Sequence, residues 1–358
     1  MDLSLIPDGG LAWLDASGPL SNVVLSTRIR LARNLAGTAF VGRAKPADRR
    51  RVLEQVDAAW AGSEAARGGV RFLLDDMTAE ERELLHERHL VSKELMAAAA
   101  ERPGTSAAAA YLSAGIGCMV NEEDHLRLQA LYSGFALSAA YAALERLDGE
   151  LGAALPFAFH REFGYLTACP TNAGTGLRAS VLIHLPGLVL TKEIAKVLQG
   201  LTQVGLTFRG LYGEGSEVVG NFFQLSNQTT LGKSEEELLD HLGKIVRQVV
   251  TYEEQARQVL LREAPTIIED KVWRAYGLLR YARSLSFEEA MNLLSGVRLG
   301  VGLNLISGLS VYTLNKLLIF TQPAHQAALE PRAARDPEFR TTRASYVRRV
   351  LEDEVASA

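Results

Sequence analysis

Residues 169–180 read Cys-Pro-Thr-Asn-Ala-Gly-Thr-Gly-Leu-Arg-Ala-Ser and lead from a glycine-containing loop into an apolar run typical of a β-strand. Gly174 and Gly176 would let the main chain approach a ligand closely, although the Gly-Lys-Ser/Thr ending of a Walker A loop is missing. Cys169 is a candidate reactive thiol, because the Thr171 hydroxyl could hydrogen-bond its thiolate and nearby arginines would favour that form. A buried structural cysteine before a turn is the alternative interpretation.

Residues 121–127 read Asn-Glu-Glu-Asp-His-Leu-Arg and place three consecutive carboxylates directly after an apolar run. Such carboxylates are costly to bury unless they are solvated or paired. Beside a basic phosphate site they would suit a cationic substrate such as a guanidinium group, or metal ions. Arg127 lies four residues after Glu123, one turn away if the segment becomes helical. An acidic turn with the charge bias of a helix start is the alternative.

Residues 26–30 read Ser-Thr-Arg-Ile-Arg. In an extended strand Arg28 and Arg30 project from the same face, because side chains alternate with a period of two. Two guanidinium forks on one face can grip a phosphate bidentately. A solvated edge strand would show the same pattern, so this pair alone does not establish a phosphate site.

Residues 209–216 read Arg-Gly-Leu-Tyr-Gly-Glu-Gly-Ser, and the density of glycine predicts a mobile loop. Arg209 and Glu214 lie on this loop, which could close over a substrate or be an ordinary surface loop. Together, the four segments collect arginines, carboxylates and a thiol at strand ends and loops. That combination indicates phosphoryl transfer, in which positioning and charge neutralisation dominate catalysis.

The composition of the 358 residues sets broad limits on the class of protein. The formal net charge is −4, so no global basic field favours nucleic acid. Two cysteines argue against a disulfide framework and fit a reducing cytoplasm. The N-terminal segment lacks the pattern of a signal peptide, and no run of about 18 apolar residues predicts a membrane span. We therefore expect a cytoplasmic globular protein without a nucleic-acid or membrane partner.

The chain changes character near residue 234. Before it, strand-like runs alternate with helical spacing at residues 47–61 and 79–100. After it, capping-box patterns predict helix starts at Ser234, Thr266 and Ser286. The glycine-rich residues 296–308 are expected to separate further helices. We predict an α+β catalytic domain at residues 1–258 and a helical domain at residues 259–358.

These motifs resemble those of phosphagen (guanidino) kinases. The similarity rests on the Asn-Glu-Glu-Asp-His-Leu-Arg run, the Cys-Pro-Thr-Asn run and the Ser-Thr-Arg-Ile-Arg opening. The Arg-Gly-x-Tyr-Gly-Glu form of residues 209–214 is more similar to the bacterial protein-arginine kinases of the McsB type. The resemblance implies a phosphagen-kinase-like catalytic domain, with a curved antiparallel sheet flanked by helices that binds MgATP on the face of the sheet.

The resemblance also implies roles for individual residues. Glu123 and Glu214 would hold the substrate guanidinium, with the Cys169 thiolate beside it, and Mg²⁺ would be held through ATP rather than by protein side chains. The implied ATP-binding residues are Ser26, Thr27, Arg28, Ile29, Arg30, His89, Arg127, Arg178, Ala179, Ser180, Val181, Leu182, Arg209, Gly210, Leu211, Tyr212, Gly213 and Glu214.

Two features bear on whether the substrate is a protein or a small guanidine: the residues before the Ser-Thr-Arg-x-Arg segment and the helical module after the catalytic part. Metabolic guanidino kinases carry a helical domain of about a hundred residues before the Ser-Thr-Arg-x-Arg segment. Here that segment begins at Ser26, so we expect no such domain. The C-terminal helical module implies dimerisation and recognition of phosphoarginine. In the protein-kinase branch it also implies marking of proteins for a Clp-type protease and an activator partner.

Two other interpretations stay open, a metabolic arginine or guanidino kinase and a non-catalytic phosphoarginine-binding adaptor. The branch also carries an Arg-Asp-x-x-Arg-Ala motif for allosteric phosphoarginine. Here Arg343 and Ala344 fit its end, but Phe339 and Arg340 stand where arginine and aspartate are expected. This departure argues against allosteric activation through Arg340, Arg343 and Ala344.

Overall fold

An antiparallel sheet of eight strands is the centre of the structure, a computed structural model that describes residues 3–210, 218–330 and 338–357. Its strands are β1 (Val24–Arg33), β2 (Val70–Leu73), β3 (Ala109–Ser113), β4 (Ile116–Val120), β5 (Leu126–Ser133), β8 (Leu177–His184), β9 (Leu206–Arg209) and β10 (Phe222–Asn227). Their order across the sheet is β2-β3-β4-β5-β1-β8-β10-β9. The short strands β6 (Phe159–His160) and β7 (Gly164–Tyr165) form a separate ribbon.

Helices surround the sheet on both faces. Those of the catalytic part are α1 (Pro46–Ala61), α2 (Ala79–Glu87), α3 (Lys93–Glu101), α4 (Leu137–Ala154), α5 (Pro186–Leu190), α6 (Ile194–Gln203) and α7 (Glu235–Glu263). Those of the C-terminal part are α8 (Pro265–Tyr281), α9 (Phe287–Gly302), α10 (Val311–Phe320), α11 (Pro323–Leu329) and α12 (Arg340–Ser357). The predicted α+β catalytic part followed by helices is confirmed. Within the described ranges no helix has the length and apolar character needed to cross a membrane.

The alternation of side chains gives the sheet two different faces. On β1, Ile29 and Leu31 enter the larger hydrophobic core with α1, α4 and α7. Arg28 and Arg30 project from the opposite face, as the period of two predicts. The same alternation on β8 sends Val181 into the core and Arg178 to the face of the arginines.

The C-terminal helices cover the other end of the face that carries the arginines. Here the sheet contributes apolar residues, Leu25, Leu131, Leu182 and Phe222, to a second core with side chains of α8, α9, α10 and α12. Burial of apolar surface contributes about 25 cal/mol per Å², so this contact fixes the helical module on the sheet. The uncovered part of the same face is left as a polar cavity.

Two of the three predicted capping boxes lie at helix starts. Ser234 and Ser286 accept hydrogen bonds from the main-chain N–H groups three residues later. A helix also starts next to Thr266, but Thr266 does not cap it, because α8 begins one residue earlier at Pro265, whose fixed φ suits the first helical turn. The glycine-rich stretch is largely helical as well. A Cβ at Gly300 would lie 2.3 Å from Val272, so glycine there serves the close packing of α9 on α8.

The helical spacing of residues 79–100 belongs to two helices rather than one. Helix α2 ends at Glu87 and α3 begins at Lys93. His89 lies between them with a φ of +61°, in the left-handed region that favours glycine. Its main-chain N–H bonds to His86 O, and the N–H of Leu90 bonds to Leu85 O. This pair of bonds is the Schellman pattern that ends a helix.

Candidate active site

A cavity of about 570 Å³ lies on the uncovered part of the sheet face. It brings together the residues that the sequence singled out on separate segments. Those among its lining residues are Arg28, Arg30, His89, Glu123, Arg127, Cys169, Arg178 and Arg209. Residues that share the lining but were not predicted include His86, Ser92, Lys93, Glu94, Asn172 and Gln224.

The register of the central strands sets the spacing of the arginines. Arg30 on β1 stands directly opposite Arg178 on β8. Like charges in opposite positions of neighbouring strands repel each other. Arg28 is held by Gln129, whose Oε1 accepts from its Nε and Nη2 at 3.1 and 2.6 Å. Arg178 donates to Ser226 Oγ at 3.2 Å. The strands therefore hold several guanidinium groups close together.

The electrostatics of the cavity favour an anion. Burial, together with the charges of Arg127 and Arg178, lowers the pKa of Arg28 to about 10, although Glu122 opposes the shift. Burial and the same repulsion hold the pKa of Arg30 well below its ordinary value. Among the described residues no acceptor bonds the buried Nε of Arg30. A bound polyphosphate would relieve this repulsion and accept from such donors.

Arg127 differs from the other arginines because it is paired with all three carboxylates of the acidic run. Its guanidinium lies 2.6 Å from Glu122, 2.8 Å from Glu123 and 3.6 Å from Asp124. Although burial opposes the shift, these charges raise the pKa of Arg127. The contact with Glu123 was expected from helical spacing, but Arg127 lies on strand β5 and a bend at residues 121–125 brings the acids back towards it.

A hydrogen bond connects the acidic residues 122–124 to the loop that carries Cys169. Asp124 Oδ1 accepts from the main-chain N–H of Ala168 at 2.7 Å. The Thr167 hydroxyl donates to Cys169 O at 2.7 Å. Cys169 Sγ lies 2.9 Å from the Thr171 hydroxyl, which is the predicted hydrogen bond. Glu123 and Cys169 thus face the same cavity from two connected segments.

His89 lines the cavity from the turn between α2 and α3. Its ring packs edge-on against Trp13, with centroids 5.2 Å apart. Burial and the nearby charge of Arg28 lower the pKa of His89 to about 3, so the imidazole is neutral at physiological pH. The left-handed φ costs a non-glycine residue about 1–2 kcal/mol. His89 is therefore a strained residue in the lining of the cavity, and strained residues cluster at functional sites.

The strain at His89 gives a prediction with two independent readouts. Because the resemblance implies that His89 contacts ATP, His89→Gly and His89→Ala should weaken ATP binding to the same extent, since both remove the imidazole from the cavity. The glycine variant should nevertheless be more stable than the alanine variant by about 1 kcal/mol, since only glycine adopts a positive φ without strain. Isothermal titration with ATP and urea denaturation measure the two effects. Equal stability of the two variants would contradict the assigned strain.

Several predicted ATP-binding residues do not present their side chains to the cavity. Strand alternation places Ile29, Ala179 and Val181 in the core on the opposite face, and Leu182 in the second core. The Thr27 hydroxyl is buried, donates to Gly134 O and accepts from the N–H of Ala136. Any contact of these residues with a nucleotide would have to come from the main chain. Ser26 and Ser180, which were also predicted to bind ATP, are buried as well.

Most of the glycine-rich segment 209–216 lies outside the described residues. Gly210 is the last described residue before this gap. The residues predicted there are Leu211, Tyr212, Gly213 and Glu214.

Two of the three predicted C-terminal motif residues, Arg343 and Ala344, are buried, and Arg340 is not. Arg343 is buried and donates to the main-chain oxygens of Thr321, Leu285 and Glu338 at 2.6, 2.9 and 3.1 Å. Ala344 belongs to the second hydrophobic core. Arg340 is exposed and lies 2.6 Å from a Glu338 carboxylate oxygen. Arg343 thus serves the packing of α12 in this structure.

Two positioning residues were not recognised from the sequence. Gln129 holds Arg28, and its place two residues after Arg127 on one strand is a signal that could have identified it. Glu122 is buried between Arg127 and the Ser92 hydroxyl, which donates to it. No local pattern separates Glu122 from its acidic neighbours, because the fold alone decides which of them is buried.

Comparison with known proteins gives matches over nearly the whole chain. The family model described as ATP:guanido phosphotransferase, C-terminal catalytic domain, matches residues 51–256. The model described as protein-arginine kinase McsB C-terminal domain matches residues 265–357. The chain is 43% identical over 340 residues to a protein-arginine kinase of Pelotomaculum thermopropionicum, with 94% of each chain covered.

A protein-arginine kinase of Symbiobacterium thermophilum is 46% identical over 329 residues, which cover 87% of this chain and 88% of that protein. Among solved structures, lombricine kinase aligns with a TM-score of 0.57 and 28% identity. That alignment covers 67% of this chain and 70% of the lombricine kinase chain. The protein-arginine kinases are thus similar in sequence over most of the chain, and lombricine kinase is similar in fold over about two thirds of it.

Proposed function

This chain belongs to the protein-arginine kinase family of ATP:guanido phosphotransferases, and we propose that it transfers the γ-phosphoryl group of ATP to arginine side chains of proteins. The observation that carries the proposal is the single cavity lined by Arg28, Arg30 and Arg178 together with Glu123 and Cys169. The arginines suit a polyanion, and the carboxylate and the thiol suit a cation. A guanidino kinase has to bind both at once.

We propose that Glu123 and Glu214 bind the substrate guanidinium. The guanidinium is protonated and a poor nucleophile, because its pKa is above about 12. The carboxylates would orient one nitrogen in line with the γ-phosphorus, and one of them would accept its proton. As the new N–P bond forms, the bond between the γ-phosphorus and the bridging oxygen breaks and ADP leaves. Glu123 is available for this role because its side chain is 41% exposed.

Cys169 would act through its charge rather than through a covalent bond. Its sulfur lies 2.9 Å from the Thr171 hydroxyl, which can donate to a thiolate. A thiolate facing Glu123 across the cavity would steer and polarise the cationic substrate. A phosphocysteine intermediate is the alternative. It predicts an acid-stable thiophosphate adduct on the protein after single turnover, which mass spectrometry would detect.

The phosphates would be bound by the arginines and by Mg²⁺. Among the described residues no three histidine, cysteine, aspartate or glutamate side chains are grouped so as to hold a metal ion. The acidic run is occupied by Arg127. These residues are consistent with a metal ion that is bound by the phosphates of the nucleotide. Mg²⁺ would then neutralise charge on the β- and γ-phosphates. Arg28, Arg30 and Arg178 would balance the charge on the transferring oxygens.

The deciding assay offers MgATP with either a casein-like protein or free arginine and measures acid-labile phosphate. We expect transfer to the protein and none to free arginine. Transfer to free arginine alone would instead establish a metabolic guanidino kinase, the second candidate. Absence of transfer to either, with phosphoarginine still bound, would support a non-catalytic adaptor.

We propose further that the products are recognised by a Clp-type protease, that an activator protein assists the kinase and that the chain is a homodimer. The match of residues 265–357 to the McsB C-terminal domain supports these expectations. The proposed domain boundary at residues 258 and 259 lies within α7, and Ala264 between α7 and α8 is the nearest break. Light scattering tests the dimer, and a monomer mass at micromolar concentration would contradict it.

A further inference from the structure

A buried contact, here called the clasp, joins the end of α2 to the start of α11 through Glu87, Arg88 and His325. Glu87 accepts from the main-chain N–H groups of Ala324 and His325 at 2.8 and 3.0 Å. Its Oε2 also lies 2.6 Å from His325 Nδ1. Arg88 Nε donates to His325 Nε2 at 3.1 Å. The three residues are only 3%, 5% and 3% exposed.

The partners fix the state of the His325 ring. Arginine can only donate hydrogen bonds, so His325 Nε2 accepts from Arg88. The hydrogen is therefore on Nδ1 and is donated to Glu87. The second carboxylate oxygen of Glu87 is occupied by α11 as well. The two carboxylate oxygens of Glu87 and the two ring nitrogens of His325 each have a defined partner, which makes the contact directional rather than a general ion pair.

The clasp lies directly before the strained residue of the cavity. His89 follows Arg88 in the chain and has a φ of +61°. A non-glycine residue keeps such a conformation only where the surrounding structure fixes it. The Schellman bonds fix the main chain of the turn, and the clasp fixes the two preceding side chains. Arg88 additionally donates to the main-chain oxygen of Gly9.

We infer that Glu87 and His325 are positioning residues for nucleotide binding, which hold His89 in the cavity from the C-terminal helical part. The inference rests on the proposed function, because that function gives His89 its contact with ATP. His325 belongs to the segment matched by the McsB C-terminal model, and His89 belongs to the segment matched by the catalytic model. The nucleotide site is thus completed by a residue of the helical part that does not line it.

The test is His325→Ala, assayed for the Kd of MgATP and for steady-state kinetics. We expect the Kd and KM for MgATP to rise about tenfold, which corresponds to loss of about one well-placed hydrogen bond. At saturating ATP, kcat and the KM for the protein substrate should stay within about twofold. His325→Asn places an amide nitrogen near the position of Nδ1, so it should restore much of the ATP affinity.

Ser295→Ala provides the matched control. Ser295 Oγ lies 2.8 Å from His184 Nε2 and joins the helical part to the sheet at another buried place. This variant should lower the melting temperature without changing the KM for MgATP. A clasp that only stabilised the fold would behave in the same way. Equal KM values for MgATP in wild type, His325→Ala and Ser295→Ala would therefore overturn the inference.

Glu87→Gln covers the case in which His325→Ala does not fold. It retains one acceptor oxygen for α11 and should weaken ATP binding in the same direction, whereas an unchanged Kd would again overturn the inference. The calorimetric Kd needs no protein substrate. A wild type that binds MgATP but phosphorylates no protein would refute the proposed function and leave the clasp to be decided by the variants.

Discussion

Glu123→Gln is expected to lower kcat for protein-arginine phosphorylation by at least about a hundredfold, the range typical for loss of an acid–base group. The amide keeps the size of the side chain but can neither balance the charge of the substrate guanidinium nor accept its proton. The Kd for MgATP should change by less than about threefold. Glu123 contacts Arg127, which is among the implied ATP-binding residues but is also held by Glu122 and Asp124.

The fold should tolerate this substitution. The Glu123 side chain is 41% exposed, so the amide that replaces its carboxylate can still be solvated. Arg127 keeps its 2.6 Å contact with the buried Glu122. Glu162→Gln, the same chemical change on the exposed turn between β6 and β7, is the control and should keep full activity. A kcat for Glu123→Gln within threefold of wild type would remove Glu123 from the proposed mechanism.

The face of the sheet that carries the arginines could be predicted because strand alternation is a local property. Arg28 and Arg30 needed only the period of two to be placed together. The pairing of Arg30 with Arg178 could not be predicted, because the register depends on strands 148 residues apart in the chain. The same limit applies to Gln129, whose contact with Arg28 crosses from β5 to β1. The sequence therefore predicted which side chains carry the chemistry of the site, but the contacts between those side chains could be seen only in the structure.

The break at His89 shows a different limit. Residues 88–92 contain neither glycine nor proline, so helical spacing continues through them without a stop signal. The main chain of the turn is fixed by the bonds of His89 to His86 and of Leu90 to Leu85, and the clasp with His325, 237 residues after Arg88, holds the side chains that precede it. Helix starts were predictable where the cap is a local side chain, as at Ser234. At Thr266 the same pattern misled, because Pro265 already begins the helix.

Arg30→Met is expected to separate the stability of the protein from its affinity for ATP. Arg30 stands opposite Arg178, and burial with the surrounding arginines holds its pKa well below the ordinary value. A cation whose pKa falls on folding destabilises the folded state at every pH below the folded pKa. That cost is full below the folded pKa and is lost as the pH rises from this value to the ordinary pKa of the unfolded chain. The variant without nucleotide should therefore melt at a higher temperature than wild type at neutral pH, most clearly at low salt.

Arg33→Met is the matched control on the same strand, because Arg33 is buried and bonds Asp148 at 2.9 and 2.8 Å. Removing this charge leaves a carboxylate without its partner, so the control should melt at a lower temperature.

ATP should have the opposite effect on Arg30→Met. Loss of a charged hydrogen-bonding group costs about 1.5–3 kcal/mol, so the Kd for MgATP should rise about 10- to 150-fold. Saturating MgATP should then raise the melting temperature of wild type more than that of Arg30→Met, because stabilisation by a ligand grows with its concentration relative to Kd. Differential scanning fluorimetry over a range of MgATP concentrations measures the melting temperature without nucleotide and its increase with MgATP in one series. A lower melting temperature without nucleotide, together with an unchanged response to ATP, would show that Arg30 serves the fold rather than the phosphates.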